Sequence, residues 1–296
     1  MPPLFRGAAT RSLELMKGVR RDRGGNRTVG EAATAPPARL KLSATAPILC
    51  VDLGGSFVKG YLVSPEGTRL QTLATLPTPA GITPDGFLGI VSNLVKQVPS
   101  AGNVVVALPT RVKDGMVPES MNVGSADWVG YPIEAQLEQL LGRPVRALKD
   151  ADLHMLGAAE TNRGVQLLLS LGTGLGTSMM VHDEVLPNVE LASLVMPKSA
   201  PSAETEHPLD GAVRMRVGDP EWNRSIARAL ETFDAALRPD YIHLSGGSAR
   251  HVDLEGLSAD VRPKVSIVGN GVAARGAARL VARESGQDTF TMGRPR

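Results

Sequence analysis

The chain has 296 residues, of which 42% are hydrophobic and 21% charged, enough to bury a core and to exclude wholesale disorder. A single cysteine, Cys50, excludes a disulfide framework and any cysteine-based zinc site. No run approaches the ~20 apolar residues of a membrane helix, and 3% aromatic content argues against stacking platforms for nucleic acid.

Charge is uneven along the chain. Residues 1–42 carry a net +6, which leaves −4 for the remainder of a chain whose total is +2. The basic balance therefore belongs to the extension and is no sign of nucleic-acid binding. Residues 1–45, with Gly24-Gly25 and Pro36-Pro37, are expected to form a disordered basic extension with at most a short helix near Ser12–Val19. The Arg-rich, acid-poor composition leaves a second reading open, an organellar leader.

From Ala46 the pattern becomes ordered. Pro47–Val51 is an apolar run ending at Asp52, a buried strand. Gly54-Gly55 and the run Val58–Val63 complete a hairpin, and Leu70–Leu76 gives a third strand. Apolar spacing predicts a helix over Phe87–Val98, a buried strand at Asn103–Leu108, a helix over Ile133–Leu141, a strand at Val145–Leu148 and a helix over Ala151–Glu160. The plan then repeats. Val165–Leu171 and Thr177–His182 flank the glycines of 172–176 as a second hairpin. An amphipathic helix over Asp219–Leu237 precedes strands at Tyr241–Leu244 and Val265–Val268 and a helix over Val272–Ala282. Alternating strands and helices with glycines at strand ends predict an α/β fold. The repeated hairpin predicts two similar lobes, 46–148 and 149–296, with a ligand cleft between them.

Three glycine turns and two acids carry the candidate chemistry. Asp52, at the end of a buried strand, suits a hydrated Mg2+. Gly54, Gly55 and Ser56 let backbone N–H groups approach anionic oxygens. Gly172, Thr173, Gly174, Gly176 and Thr177 form a second such turn, which is neither a P-loop nor a dinucleotide fingerprint. Gly246, Gly247 and Ser248 follow a strand and suit close approach to a flat ligand. Asp150 lies between a strand and a helix, where it is a candidate base for a hydroxyl proton. Taken singly, each has an ordinary structural reading, as a hairpin turn, a strand-to-helix connection or a helix-start acid. The five histidines, His154, His182, His207, His243 and His251, suggest no ligand cluster. His243 reads as a satisfied core residue, and the polar loop Glu204–His207 is a possible source of a further sugar-contacting Glu.

In this order, over about residues 46–285, the motifs resemble those of actin-like sugar kinases, more closely the ROK family and within it the polyphosphate glucokinase branch. Asp52–Gly60, including Lys59, is similar to the first phosphate motif. Asp127–Gly130 after Asn122-Val123 is similar to a sugar-lobe segment. Leu171–Ser178 resembles the second phosphate motif, Pro187–Leu191 the sugar-binding strand and Tyr241–Ser248 the nucleoside motif. The resemblance implies a two-lobed actin-like ATPase (ribonuclease H-like) fold whose C-terminal helix packs back on the first lobe. It also implies Mg2+ at Asp52, phosphates on Lys59 and the two hairpin turns, a nucleoside at Gly246–Ser248, and Asp150 as base. Asn122, Lys149, Asp150 and Glu190 would surround the sugar. The donor would be ATP, polyphosphate or both, with no zinc, in a cytoplasmic homodimer that binds a small sugar and neither nucleic acid nor membrane.

The sequence departs from that pattern on the sugar side. Lys149 stands where Asn is usual before the catalytic Asp, Glu190 is followed by Leu191-Ala192-Ser193 rather than Leu-Gly-His, and Pro109-Thr110 replaces Pro-Gly. These changes lead to two expectations: that glucose is not the best acceptor, and that Lys149 lowers the pKa of Asp150 or pairs with an anionic sugar. Other arrangements are that Lys149 faces solvent, or that the chain is a non-catalytic sugar sensor. Trp128 either lies under the sugar or fills the core.

Overall fold

The computed structural model describes residues 39–160, 163–193, 207–269 and 271–286. The expected helix near Ser12–Val19 and the residues Glu204 and Glu206 lie outside them.

The first half forms a five-stranded sheet of β1 (Ile48–Leu53), β2 (Phe57–Val63), β3 (Arg69–Pro77), β4 (Asn103–Leu108) and β5 (Val145–Lys149), in the order β3-β2-β1-β4-β5. β1 runs antiparallel to β2 and parallel to β4. The second half repeats the arrangement with β6 (Val165–Leu171), β7 (Leu175–Val181), β8 (Glu184–Leu186), β9 (Tyr241–Ser245) and β10 (Val265–Ile267), in the equivalent order β8-β7-β6-β9-β10. Here β6 is antiparallel to β7 and parallel to β9. β1 and β4 are buried along their whole length, as strands covered on both faces must be, and this explains their unbroken apolar runs.

Helices cover both faces of each sheet. α1 (Pro84–Gln97) and α2 (Ile133–Leu141) lie on one face of the first sheet and bury Phe87, Val91, Ile133 and Leu137 with Trp128. Apolar spacing alone begins α1 at Phe87, but the helix starts three residues earlier. Thr83 caps it by accepting from the Gly86 N–H at 3.1 Å, and Pro84 fits the first turn. α3 (Asp150–Ala158) lies on one face of the second sheet, with Met155 and Leu156 against Leu168 and Met180. α4 (Gly211–Val217) has no apolar period and was not expected; it leads through Gly218 into α5 (Asp219–Leu237), whose Trp222, Ile226, Leu230 and Phe233 fill the other face. α6 (Val272–Glu284) comes from the end of the chain but covers the first sheet. Its Ala273, Ala274, Ala277, Ala278 and Val281 pack on Ile48, Cys50, Val63, Val105 and Ala107.

α3 and α6 pack directly against each other. A Cβ on Gly157 would lie 1.8 Å from the Val272 carbonyl oxygen, and one on Gly276 would lie 2.0 Å from that of Leu153. Only hydrogen fits at either position. Arg279 on α6 donates to the Leu156 and Ala159 carbonyls at 2.6 and 2.9 Å, closing the C-terminus of α3.

Residues 39–45, which composition groups with the basic extension, are fixed to the first sheet. Asn103 exchanges hydrogen bonds with Ser43 in both directions, at 2.8 and 2.7 Å, and Arg39 pairs with Glu134 at 2.8 Å.

Candidate functional site

The first glycine turn is held from below. The Gly54 N–H donates to Phe57 O at 2.9 Å, and the Thr78 hydroxyl donates to Gly54 O at 2.7 Å. This leaves Gly55 and Ser56 exposed at the tip. The second turn is tighter than the glycine pattern suggests. Leu171 already pairs with Leu175, so only Gly172–Gly174 form the turn and Gly176 and Thr177 lie within β7. Asp210 and Gly211 brace it: the Leu175 N–H donates to Asp210 Oδ1 at 2.9 Å, and the Gly211 N–H to Gly172 O at 3.0 Å.

The two turns meet. The Ser56 and Thr173 hydroxyls are 2.7 Å apart, and a Cβ on Gly55 would lie 3.0 Å from that of Thr173. The third turn joins them, since the Ser248 N–H donates to Leu171 O at 2.9 Å and Gly246, at φ +88°, lies against the same carbonyl. Gly247 has open space where a Cβ would point. A Gly55→Val substitution should wedge the turns apart and raise the donor KM about tenfold with little change in acceptor KM, measured by initial rates with each substrate varied.

Asp52 is 7% exposed and pairs across the hairpin with Lys59. Both line a cavity of about 160 Å³ with His154, Gly246, Gly247 and the first turn of α6. His154 Nε2 stands 3.8 Å from Asp52 Oδ2. Burial opposes the charge on Asp52, but His154 and Lys59 outweigh it and hold the carboxyl below its ordinary range. For His154, burial opposes protonation while Asp52 and Asp150 favour it, and the balance is a raised pKa.

Asp150 opens α3, its Oδ1 accepting from the Ala151 N–H at 2.6 Å. A Cβ on Gly176 would lie in ordinary contact with that oxygen, at 3.7 Å, which places the acid beside β7. Burial, reinforced by the charge of Asp52, pushes its pKa up to about 6 against the pull of His154. Lys149 acts in the expected downward direction but is the smallest of these influences, and the net shift is upward. Lys149 is 2% exposed and turned away: its ammonium donates to Glu190 Oε2 at 2.6 Å, Val189 O at 2.7 Å and Thr177 O at 3.0 Å. With its charge paired to Glu190, it opposes the burial of Asp150 only weakly. The same three bonds correct both alternatives for Lys149. It neither faces solvent nor has an N–H left for an anionic sugar.

Thr177 also departs from its expected role. It is fully buried, and its hydroxyl donates to Val189 O at 3.2 Å and accepts from the Leu191 N–H at 2.8 Å. The side chain anchors the Glu190 loop rather than facing a phosphate. Asn122 lies on an exposed turn that Gly124 ties to Ile82. Trp128 is a core residue, donating to Ile82 O at 2.8 Å and packing on Phe87. His243 is a buried partner of Gln166 and Ser266, both at 3.0 Å, with its pKa lowered to about 4 by burial.

Three functional-site neighbours have no individual role in the sequence reading. His154 lies four residues after Asp150 and so on the same face of α3, a spacing that was there to be read. Asp152, on another face, accepts from the Ser178 hydroxyl at 2.6 Å and the Asn188 N–H at 2.8 Å. Asn188 in turn pairs its side-chain amide with both backbone groups of Val112, at 3.0 and 2.9 Å, joining the loop after β8 to the one after β4. No local signal marks that contact.

The ROK family model matches residues 48–187, a span holding Asp52, both hairpin turns and Asp150. Residues 48–187 form a ROK family domain. The chain is 29% identical to the polyphosphate glucokinase of Mycobacterium tuberculosis over 213 residues, which are 69% of this chain and 78% of that protein. Among solved structures, the inorganic polyphosphate/ATP-glucomannokinase of Arthrobacter sp. strain KM is 27% identical with a TM-score of 0.70, over 81% of this chain and 99% of that one. A ROK family glucokinase from Streptomyces griseus, solved with glucose and AMPPNP, is 18% identical with a TM-score of 0.63, over 80% and 99%. The fold is that of the actin-like ATPases, and a structural likeness over 81% of the chain extends past residue 187.

Proposed function

We infer that this ROK chain is a sugar kinase that transfers a phosphoryl group from ATP, polyphosphate or both to a hydroxyl of a hexose or related sugar. The observation that carries this reading is the meeting of the two hairpin turns at Ser56 and Thr173, together with two acids of opposite tuning that share the neighbour His154. Asp52 is held ionised, while Asp150 titrates near the operating pH, as suits a general base. The similarity to polyphosphate glucokinases and to a polyphosphate/ATP-glucomannokinase supports both the reaction and the choice of donors.

In the mechanism, the exposed N–H groups of Gly55 and Ser56 and the Gly172–Gly174 turn hold the donor phosphates, with Lys59 facing the same cleft. Gly246–Ser248 receive the nucleoside when ATP is the donor. Asp150 removes the proton from the accepting hydroxyl, whose oxygen bonds to the terminal phosphorus as the bond to the leaving phosphate oxygen breaks. Asp52 fits a water-bound Mg2+, because it is a hard oxygen donor kept charged despite burial. The ion would neutralise charge on the transferring group.

A non-catalytic sensor is the poorer reading, since it gives no role to a base-tuned Asp150 beside two phosphate turns. Among the described residues no helix is long and apolar enough to cross a membrane. The proposal is a cytoplasmic homodimer acting on a small sugar, with neither nucleic acid nor membrane as partner. No zinc is assigned, because Cys50 lies fully buried under α6.

The test is phosphoryl transfer to neutral hexoses, amino sugars and sugar acids, each with ATP·Mg2+ and with polyphosphate. Turnover that disappears in Asp150→Asn supports the kinase. Sugar or nucleotide binding without turnover on any acceptor overturns it. The pKa near 6 gives a further expectation. The base works only as carboxylate, so kcat/KM should be level above about pH 6 and fall tenfold per unit below it.

A further inference from the structure

We propose that Lys149 is a positioning residue that sets acceptor selectivity by taking one oxygen of Glu190, so that the site accepts a neutral sugar and grips it there through a single hydroxyl. This rests on the kinase reading above and specifies its substrate. Lys149 makes three bonds at 2.6–3.0 Å, one to the Glu190 carboxylate, one to its own loop at Val189 and one to β7 at Thr177. Thr177 adds a second anchor through Val189 O and the Leu191 N–H. Glu190 is therefore fixed in place before any substrate arrives.

The carboxylate is left asymmetric. Oε2 is engaged by the ammonium at 2.6 Å, whereas Oε1 is buried with no hydrogen-bond partner among the described residues. A buried acceptor left unpaired is costly, and a hydroxyl donor from a ligand removes that cost. Glu190 and the base are tied to neighbouring residues of β7: Lys149, which holds Glu190, reaches Thr177 O, and Asp150 lies beside Gly176. With Oε2 taken, Glu190 bonds one hydroxyl rather than clasping two neighbours. With the ammonium fully paired, the cluster offers no cation to a carboxylate or phosphate on the sugar.

The test uses the full chain and measures kcat/KM for a neutral hexose, the series lacking one non-accepting hydroxyl at a time, and the corresponding sugar acid. In the wild type, one deoxy sugar should lose about 100-fold or more, its neighbours less than about tenfold, and the sugar acid at least about 100-fold. In Lys149→Met the released Oε2 should spread the loss to an adjacent deoxy position, a change of pattern that a merely structural role would not produce. Two adjacent deoxy sugars failing equally in the wild type, or a sugar acid as the best acceptor, would overturn the proposal. So would an unchanged pattern in a folded Lys149→Met. If that variant does not fold, the wild-type series decides alone. A wild type that phosphorylates nothing in the panel overturns the kinase reading, and this inference with it.

Discussion

Asp150→Asn is expected to lower kcat by about three orders of magnitude and to leave the acceptor KM within a few-fold. A positioned general base contributes roughly 10²–10⁴ to such a reaction. The amide conserves the shape of the side chain, and its oxygen can still accept from the Ala151 N–H, now at 2.6 Å. What disappears is the site for the hydroxyl proton. The loss should therefore fall on kcat, the signature of an interaction made in the transition state. Steady-state kinetics with either donor reads it, and residual activity should no longer show the acid limb near pH 6. A raised KM at unchanged kcat would make Asp150 a sugar-binding group only.

Gly157→Ala should have the largest effect on stability, about 3 kcal/mol, which for a domain of this size lowers Tm by roughly 6–12 °C. A methyl at that position would lie 1.8 Å from the Val272 carbonyl, so α3 and α6 must separate. Activity should fall as well, because Val272, Ala273 and Ala274 line the cavity that holds Asp52 and His154. Gly89→Ala is the matched control. Gly89 is an exposed helix glycine with nothing within 4 Å of a built Cβ, and alanine there should stabilise by about 0.5–1 kcal/mol. Calorimetric melts of the two variants separate a close-packing requirement from a general dislike of alanine. Equal melting temperatures would show that the helices yield freely.

Much of the frame was legible because its physics is local. Fully buried strands such as β1 and β4 must be apolar throughout, and α5 declares itself by one apolar face. The short α4 and β8 have no pattern long enough to read, and the start of α1 depends on a cap rather than on periodicity. The site divides in the same way. Asp52, Asp150 and the glycine turns stand at strand ends, where the sequence marks them. The direction of Lys149 is decided by partners about 28 and 40 residues further on, and the clasp between Asn188 and Val112 spans 76, so neither leaves a local trace. Thr177 looked like part of a turn because the glycines run up to it, but β6–β7 pairing closes the hairpin at Leu175.

The cover of the first sheet is made last. Ile48, Cys50, Val63, Val105 and Ala107 find their packing partners in α6, more than 160 residues after β4. As the chain leaves the ribosome, the first half can pair its strands and dock α1 and α2, yet it presents a bare apolar face until Val281 has emerged. Any shortened product ending before Val272 would keep that face open, together with the exposed rim of the Asp52 cavity. Such a product is a natural client for chaperones and a seed for aggregation.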